Sequence, residues 1–352
     1  FPKEMLENIE SWDDAAIAFE VMRPYVGDEI DEQSLRTIVQ ETIDFPIPLV
    51  KVTDHISTLE LFHGPTLAFK DVGARFMSRC LGYFVKNGQL IKQVLPDKNK
   101  KITVLVATSG DTGGAVAGGF HNVEGVEVVI LFPSGKVSKV QEKQLTTFGD
   151  NIHALEVNGS FDDCQRLVKQ AFADDTIKQE CFLTSANSIN VARWLPQQLY
   201  YVLAYKQWKK EKGCAPVFSV PSGNFGNICA GILAHISGMP AAHFIAACNA
   251  NDVVPKFMEH QSYQPQKAIS TISNAMDVGD PSNFIRILEL FHQDFPVLKE
   301  KFSSVSITDE ETKGILKDLY QRYQYIADPH GAVGYLALER YLQTHPDQKR
   351  SE

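Results

Sequence analysis

Apolar and polar positions alternate along this chain in a way that predicts strands interleaved with helices. Ile102–Ala107 is an apolar run rich in β-branched residues, the signature of a strand buried on both faces. It runs into T-S-G-D-T-G-G at 108–114 and then a small-residue helix over 115–120. A second buried strand follows over 126–132, and a third over 153–157. The next helix is expected to open at Asp162 and Asp163 as capping acids, with Leu167, Val168, Ala171 and Phe172 as its apolar face. Residues 190–209 read as one long helix interrupted only by Pro196. A further unit has a strand at 217–220, the turn P-S-G-N-F-G-N, a helix over 228–236 and a strand over 244–248. Helices near Asp309–Tyr323 and 332–342 close the chain. Ahead of these lie helical stretches over 14–22 and 33–43, the breaker F-P-I-P at 45–48 and a short strand over 59–62. Such alternation predicts an α/β fold with mostly parallel sheets covered by helices on both sides. The expected division is a helical lead-in over 1–60, a smaller α/β domain over 61–190 and a larger one over 191–352.

One stretch changes this picture from architecture to chemistry. Residues 61–75 read L-F-H-G-P-T-L-A-F-K-D-V-G-A-R, with Lys70 just ahead of helix-spaced apolar residues Val72, Phe76, Cys80 and Phe84, and with Met77 and Leu81 beside them. A loop kinked at Gly64 and Pro65 therefore hands Lys70 to the first turn of an amphipathic helix. An ammonium among apolar side chains and near a helix N-terminus is disfavoured as a charge, so its pKa is expected to fall. A lysine held that way is a nucleophile suited to Schiff-base chemistry. His63 is the one histidine close to it in sequence, placed to line the site or to pack.

In folds of this class ligands sit beyond the carboxyl ends of the strands. Two loops leave a buried strand and enter a helix there. In Ser222, Gly223, Asn224, Phe225, Gly226 and Asn227 the glycines let the backbone approach an anion while the helix start aims N–H groups at it, which suits a phosphate. The absence of a closing lysine suits the phosphate of a tethered cofactor. In the other loop, Thr108, Ser109, Gly110, Asp111 and Thr112 offer hydroxyls and amides suited to a substrate carboxylate. Both loops read equally as capped turns. A third polar segment, S-A-N-S-I-N at 185–190, precedes Arg193. Ser185, Asn187, Asn190 and Arg193 could hold an oxyanion, or Ser188 could cap a helix. Lys136 and Lys139 read as solvated.

Composition narrows the function classes. The 352 residues are 44% apolar, enough for two cores, and the net charge of −9 argues against nucleic acid or an anionic membrane as a partner. No apolar run is long enough to span a bilayer. The six cysteines form no C-x-x-C and have no metal-ligand spacing, so they read as reduced thiols and no metal is expected. There is no G-x-S-x-G, no H-E-x-x-H and no dinucleotide fingerprint after a predicted strand, which leaves a dehydrogenase without footing. The chain begins at Phe1 without Met or a signal-peptide pattern, as the interior of a longer polypeptide would; a cytoplasmic location is expected, with organellar targeting unreadable.

Five segments occur together: H-G-P-T-L-A-F-K-D, A-T-S-G-D-T-G, L-T-S-A-N-S-I-N, P-S-G-N-F-G-N and S-N-A-M-D-V-G at 273–279. In order and spacing they resemble the threonine synthase family, over almost the whole chain. The resemblance implies a pyridoxal 5'-phosphate enzyme of the tryptophan-synthase-β fold (fold type II), with two α/β domains and the cofactor at their interface. By position, Lys70 matches the lysine that forms the Schiff base, and 223–227 match the cofactor-phosphate loop. Ser109, Gly110, Asp111 and Thr112 match the loop near the substrate carboxylate and the cofactor's ring hydroxyl. Relatives of this fold often carry Asn where this chain has Asp111, and an acid there calls for a proton or a donor partner. The family's T-A-H-P-A-K-F-like segment, whose Thr faces the pyridine nitrogen, has no counterpart after Gly331. The implied reaction is O-phospho-L-homoserine plus water giving L-threonine and phosphate, in a monomer or homodimer. Rival expectations are a phospho-lyase giving 2-oxobutyrate and a non-catalytic metabolite-binding α/β protein.

Overall fold

A computed structural model of the chain describes residues 1–88, 102–212 and 214–346. Its strands are β1 (Leu49–Lys51), β2 (Ser57–Leu59), β3 (Ile102–Ala107), β4 (Val126–Pro133), β5 (Ile152–Val157), β6 (Phe182–Ser185), β7 (Val217–Pro221), β8 (His243–Cys248) and β9 (Phe302–Ser306). Two compact units form: Ala18–Pro46 with Leu61–Pro196, and Phe1–Ile17 with Ile47–Glu60 and Gln197–Glu352. The first 60 residues thus contribute to both.

The first unit is built on a four-stranded parallel sheet in the order β5-β4-β3-β6. Side chains on a strand point alternately to opposite faces, which explains the apolar run of β3. Val104 and Val106 pack with Val128, Ile130, Val116 and Phe120 on one face. Leu105 and Ala107 pack with Leu131, Cys164 and Val168 on the other. Burying each such aliphatic side chain contributes about 1.5–3 kcal/mol, so a strand covered by helices on both sides tolerates no polar face. The helix Asp111–Phe120 is rich in glycine for a reason the packing shows. A Cβ on Gly119 would sit 3.1 Å from the backbone carbonyl carbon of Ala74 in the helix Asp71–Lys86. Small residues let the helix that follows Lys70 come against the helix that follows β3.

Three local expectations need correction. The helix Phe161–Ala173 is capped by Ser160, not by the two acids. Asp163 is the third helical residue, closing a capping box, and Asp162 is a first-turn acid. The 190–209 helix is instead a short helix Val191–Trp194, a 3-10 turn Leu195–Gln197 around Pro196, and the helix Gln198–Lys212. A proline lacks the N–H that would continue the ladder, and the boundary between the two units falls there. The short strand expected over 59–62 lies earlier, at β2, paired antiparallel with β1.

The second unit holds the parallel sheet β7-β8-β9. The central β8 is buried along its whole length. Ile245 and Ala247 pack with Met276, Ile307, Val333 and Ala337, the last two from the helix Pro329–Thr344. On the opposite face Phe244 stacks on Phe218 at 5.5 Å, and Tyr201 of the helix Gln198–Lys212 stands edge-on to Phe218 at 5.2 Å. Among the described residues no helix is long and apolar enough to cross a membrane, and no cluster of three or more His, Cys, Asp or Glu could hold a metal.

Candidate active site

Lys70 caps the helix Asp71–Lys86, with its carbonyl accepting the first helical hydrogen bond from Ala74 N at 3.0 Å. The loop before it is pinned by Leu67 N to Gly64 O (3.0 Å) and by Asp71 N to Ala68 O (3.0 Å). Asp71, 1% exposed, accepts from Thr66 N at 3.0 Å and from the Thr66 hydroxyl. A side chain at Gly64 would collide with that carboxylate, which is why the loop carries glycine there. Burial raises the Asp71 pKa, while the Thr66 donors and the charges of Arg75 and Arg193 lower it in part.

The Lys70 side chain is 17% exposed. Its Nζ lies 4.3 Å from the centre of the Phe69 ring and 3.5 Å from Asp111 Oδ2. Burial pulls its pKa below the usual lysine value; the Asp111 carboxylate opposes this, and the positive charge of Arg193 reinforces it. The amine therefore loses its proton more readily than a surface lysine, the condition for a nucleophile. His63 is exposed and packs on Phe62 at 4.7 Å.

The loop after β3 is organised by Thr108. Its buried hydroxyl oxygen accepts from Gly110 N at 2.9 Å and Gly113 N at 2.8 Å. Thr108 thus holds the start of the helix from within the loop. Ser109 is exposed and Thr112 half-buried. Gly110 has φ +137°, a conformation that favours glycine. The donor that Asp111 calls for is Gln141, whose Nε2 donates to Asp111 Oδ1 at 2.5 Å.

In the 185–190 segment Ser185, Asn187 and Asn190 bond to backbone groups. Asn187 bridges to the end of β3, donating to Ala107 O at 2.9 Å and accepting from Ala107 N at 3.3 Å. Asn187 N donates to Ser185 Oγ at 3.2 Å. Asn190, not Ser188, caps the helix: it accepts from Ala192 N at 3.1 Å and donates to Ser185 O at 2.9 Å. Arg193 is buried at 3% exposure, and its charge bears on Lys70 and Asp71. Lys136 and Lys139 are exposed.

The glycine turn belongs to the second unit. Phe225 adopts the left-handed region (φ 62°) and hands the chain to the helix Gly226–Ile236. The N–H groups of Gly223, Phe225, Gly226 and Asn227 find no acceptor among the described residues. The rest of the turn is braced. Ser222 donates to Val220 O (2.8 Å), and Asn224 Oδ1 accepts from Ser282 N (2.7 Å) and Ser282 Oγ (2.9 Å). Asn227 accepts from the Tyr201 hydroxyl (2.6 Å) and donates to Gln197 (2.9 Å). A Cβ on Gly223 would lie 2.6 Å from Met276 Cα, so the S-N-A-M-D-V-G segment backs directly onto the turn.

The family model described as pyridoxal-phosphate dependent enzyme matches residues 53–351. Threonine synthase of Serratia marcescens is 46% identical over 323 residues, covering 92% of this chain and 72% of that protein. The chain belongs to the threonine synthase family. The crystal structure of threonine synthase from Escherichia coli superposes with a TM-score of 0.87 at 42% identity, covering 97% of this chain and 77% of that one. The pyridoxal-phosphate-bound threonine synthase from Brucella melitensis gives 0.87 at 32% identity, covering the same shares. As a member of the threonine synthase family, the chain is a pyridoxal-phosphate-dependent enzyme with the family's α/β fold.

The residues present fit that cofactor. An amine with lowered proton affinity suits an aldehyde, and a helix start with unpaired N–H groups suits a phosphate. The sequence left four supporting residues unread: Gln141 and Gln144, on the helix Lys139–Thr146, and the Thr66–Asp71 pair inside the lysine motif. Only the S-x-x-Q spacing of Ser138 and Gln141 could have signalled a capping box there.

Proposed function

We propose that the chain converts O-phospho-L-homoserine and water to L-threonine and phosphate. Lys70 is the amine that holds pyridoxal phosphate, and Ser222–Asn227 is the turn that receives its phosphate. The observation that carries this reading is the Lys70 amine, sequestered at a helix start against Phe69 and Asp111 with its pKa lowered by burial. Bound there, the cofactor supplies an electron sink for charge developing at the substrate Cα. The chain's own residues do the rest. Lys70 Nζ takes one proton from Cα and one from Cβ; one is delivered to Cγ, which becomes the methyl group, and one returns to Cα after water has added its hydroxyl at Cβ. Arg193, in the short helix that Asn190 caps, supplies positive charge to the phosphate that leaves Cγ. The proton that phosphate takes up comes from the water that adds its hydroxyl at Cβ. Ser109 and Thr112, outside the Thr108 cap, offer hydroxyls to the substrate carboxylate. The reaction takes a small-molecule substrate.

Incubating the purified protein with pyridoxal phosphate and O-phospho-L-homoserine tests the reading. Threonine and phosphate in equal amounts are expected. Oxobutyrate with ammonia and no threonine would move the chain to the phospho-lyase reading.

A further inference from the structure

The helix Lys139–Thr146 turns two glutamines, three residues apart on one face, toward the lysine site. Gln141 Nε2 donates to Asp111 Oδ1 at 2.5 Å, and Gln144 Nε2 donates to Thr66 O at 3.2 Å. The first bond reaches the carboxylate that faces Lys70; the second reaches the loop that leads to it. Gln141 is itself oriented. Its Oε1 accepts from Ser138 N at 3.1 Å while its backbone N donates to Ser138 Oγ at 3.2 Å, a closed capping box. With the oxygen committed to the cap, the Nε2 end can only face Asp111. A Cβ at Gly110 would run into the Gln141 amide, so the loop leaves open the space that the amide enters.

We propose that Gln141 is a positioning residue for the cofactor-binding lysine. Its amide fixes Asp111 so that one carboxylate oxygen is held by Gln141 and the other faces Lys70, and Gln144 steadies the Thr66 carbonyl behind them. The inference rests on the reading of Lys70 as the cofactor's amine. It also accounts for the choice of glutamine. Glutamate at this position of a capping box serves the cap equally well, but it would set a second anion against Asp111. The charged groups that face Lys70 are Asp111 from the β3 loop, Arg193 from the helix Val191–Trp194 and Asp71 from its own helix. Glu142 and Lys143 point to solvent.

The test compares Gln141→Glu, which keeps the cap and removes the donor, with Ser138→Ala, which removes the cap and keeps the donor. The readouts are thermal stability and the pH dependence with which an amine-reactive reagent labels Lys70 in cofactor-free protein, followed on the Lys70 peptide by mass spectrometry. Gln141→Glu is expected to keep its melting temperature and to raise the labelling midpoint by about half a pH unit, roughly threefold slower labelling at fixed pH. Ser138→Ala is expected to lose stability and leave the midpoint where it is. Should Gln141→Glu not fold, Gln141→Met removes the donor without adding charge. Asp111 then turns toward water and the midpoint falls. Midpoints that coincide with the parent in every folded Gln141 variant overturn the proposal. Loss of the Lys70 reading itself would look different: the unaltered protein would fail to attach pyridoxal phosphate at residue 70.

Discussion

Replacing Asp111 by Asn removes one charge from the lysine site and little else. The side chains are isosteric, and the amide oxygen of Asn can still accept from Gln141. The nearest distance from Asp111 to Lys70 Nζ is 3.5 Å. Two unit charges at that separation attract by about 1.2 kcal/mol in water and by about 4.7 kcal/mol at an effective dielectric of 20. Both side chains are partly exposed, at 17% and 35%, so solvent screening favours the lower end. Since one pKa unit corresponds to about 1.4 kcal/mol, Asp111→Asn should lower the Lys70 pKa by about one unit. The sign follows from the charge: an anion favours the ammonium, and without it the neutral amine persists to lower pH. The assay is the pH profile of Lys70 labelling in cofactor-free protein, with the midpoint expected about one unit below the parent. A midpoint unchanged or raised would refute the electrostatic account of the site.

Three further substitutions probe the supports. Gly223→Ala puts a methyl 2.6 Å from the Met276 Cα, a backbone atom that cannot step aside alone; cofactor affinity by fluorescence titration should fall at least about tenfold, which is about 1.4 kcal/mol. Asn187→Ala leaves both backbone groups of Ala107 without their side-chain partner, and chemical denaturation should report a loss of about 2–4 kcal/mol. Thr66→Val withdraws a hydroxyl donor from the buried Asp71 carboxylate and should cost about 1–3 kcal/mol at neutral pH. Because the lost bond is to the charged form, that deficit should shrink as pH falls through the raised Asp71 pKa, and a pH-independent deficit would contradict the assignment.

Much of this could be read in the letters because burial leaves no alternative there. β3, β4 and β8 are apolar nearly throughout, since each has a partner strand on both sides and is buried along most of its length. Three strands escaped notice: β1 is only three residues long, and β6 (F-L-T-S) and β9 (F-S-S-V-S) lie at sheet edges, where half-buried positions accept serine and threonine and the pattern weakens. Lys70 was visible because a helix start and its apolar stripe are local features. The Gln141–Asp111 contact joins residues thirty apart through folding alone, and no periodicity announces it. The Asn187 bonds to Ala107 were unreadable for a related reason: an amide that finishes a strand's hydrogen bonds has the same letter as one that binds a ligand. Thr108 has a structural task as well, its hydroxyl oxygen accepting from two amides of its own loop.

The most direct measurement is borohydride reduction of the protein loaded with pyridoxal phosphate, followed by proteolysis and mapping of the modified peptide. The account predicts a single phosphopyridoxyl group, on Lys70. Modification at any other lysine, with Lys70 left unmodified, would contradict it.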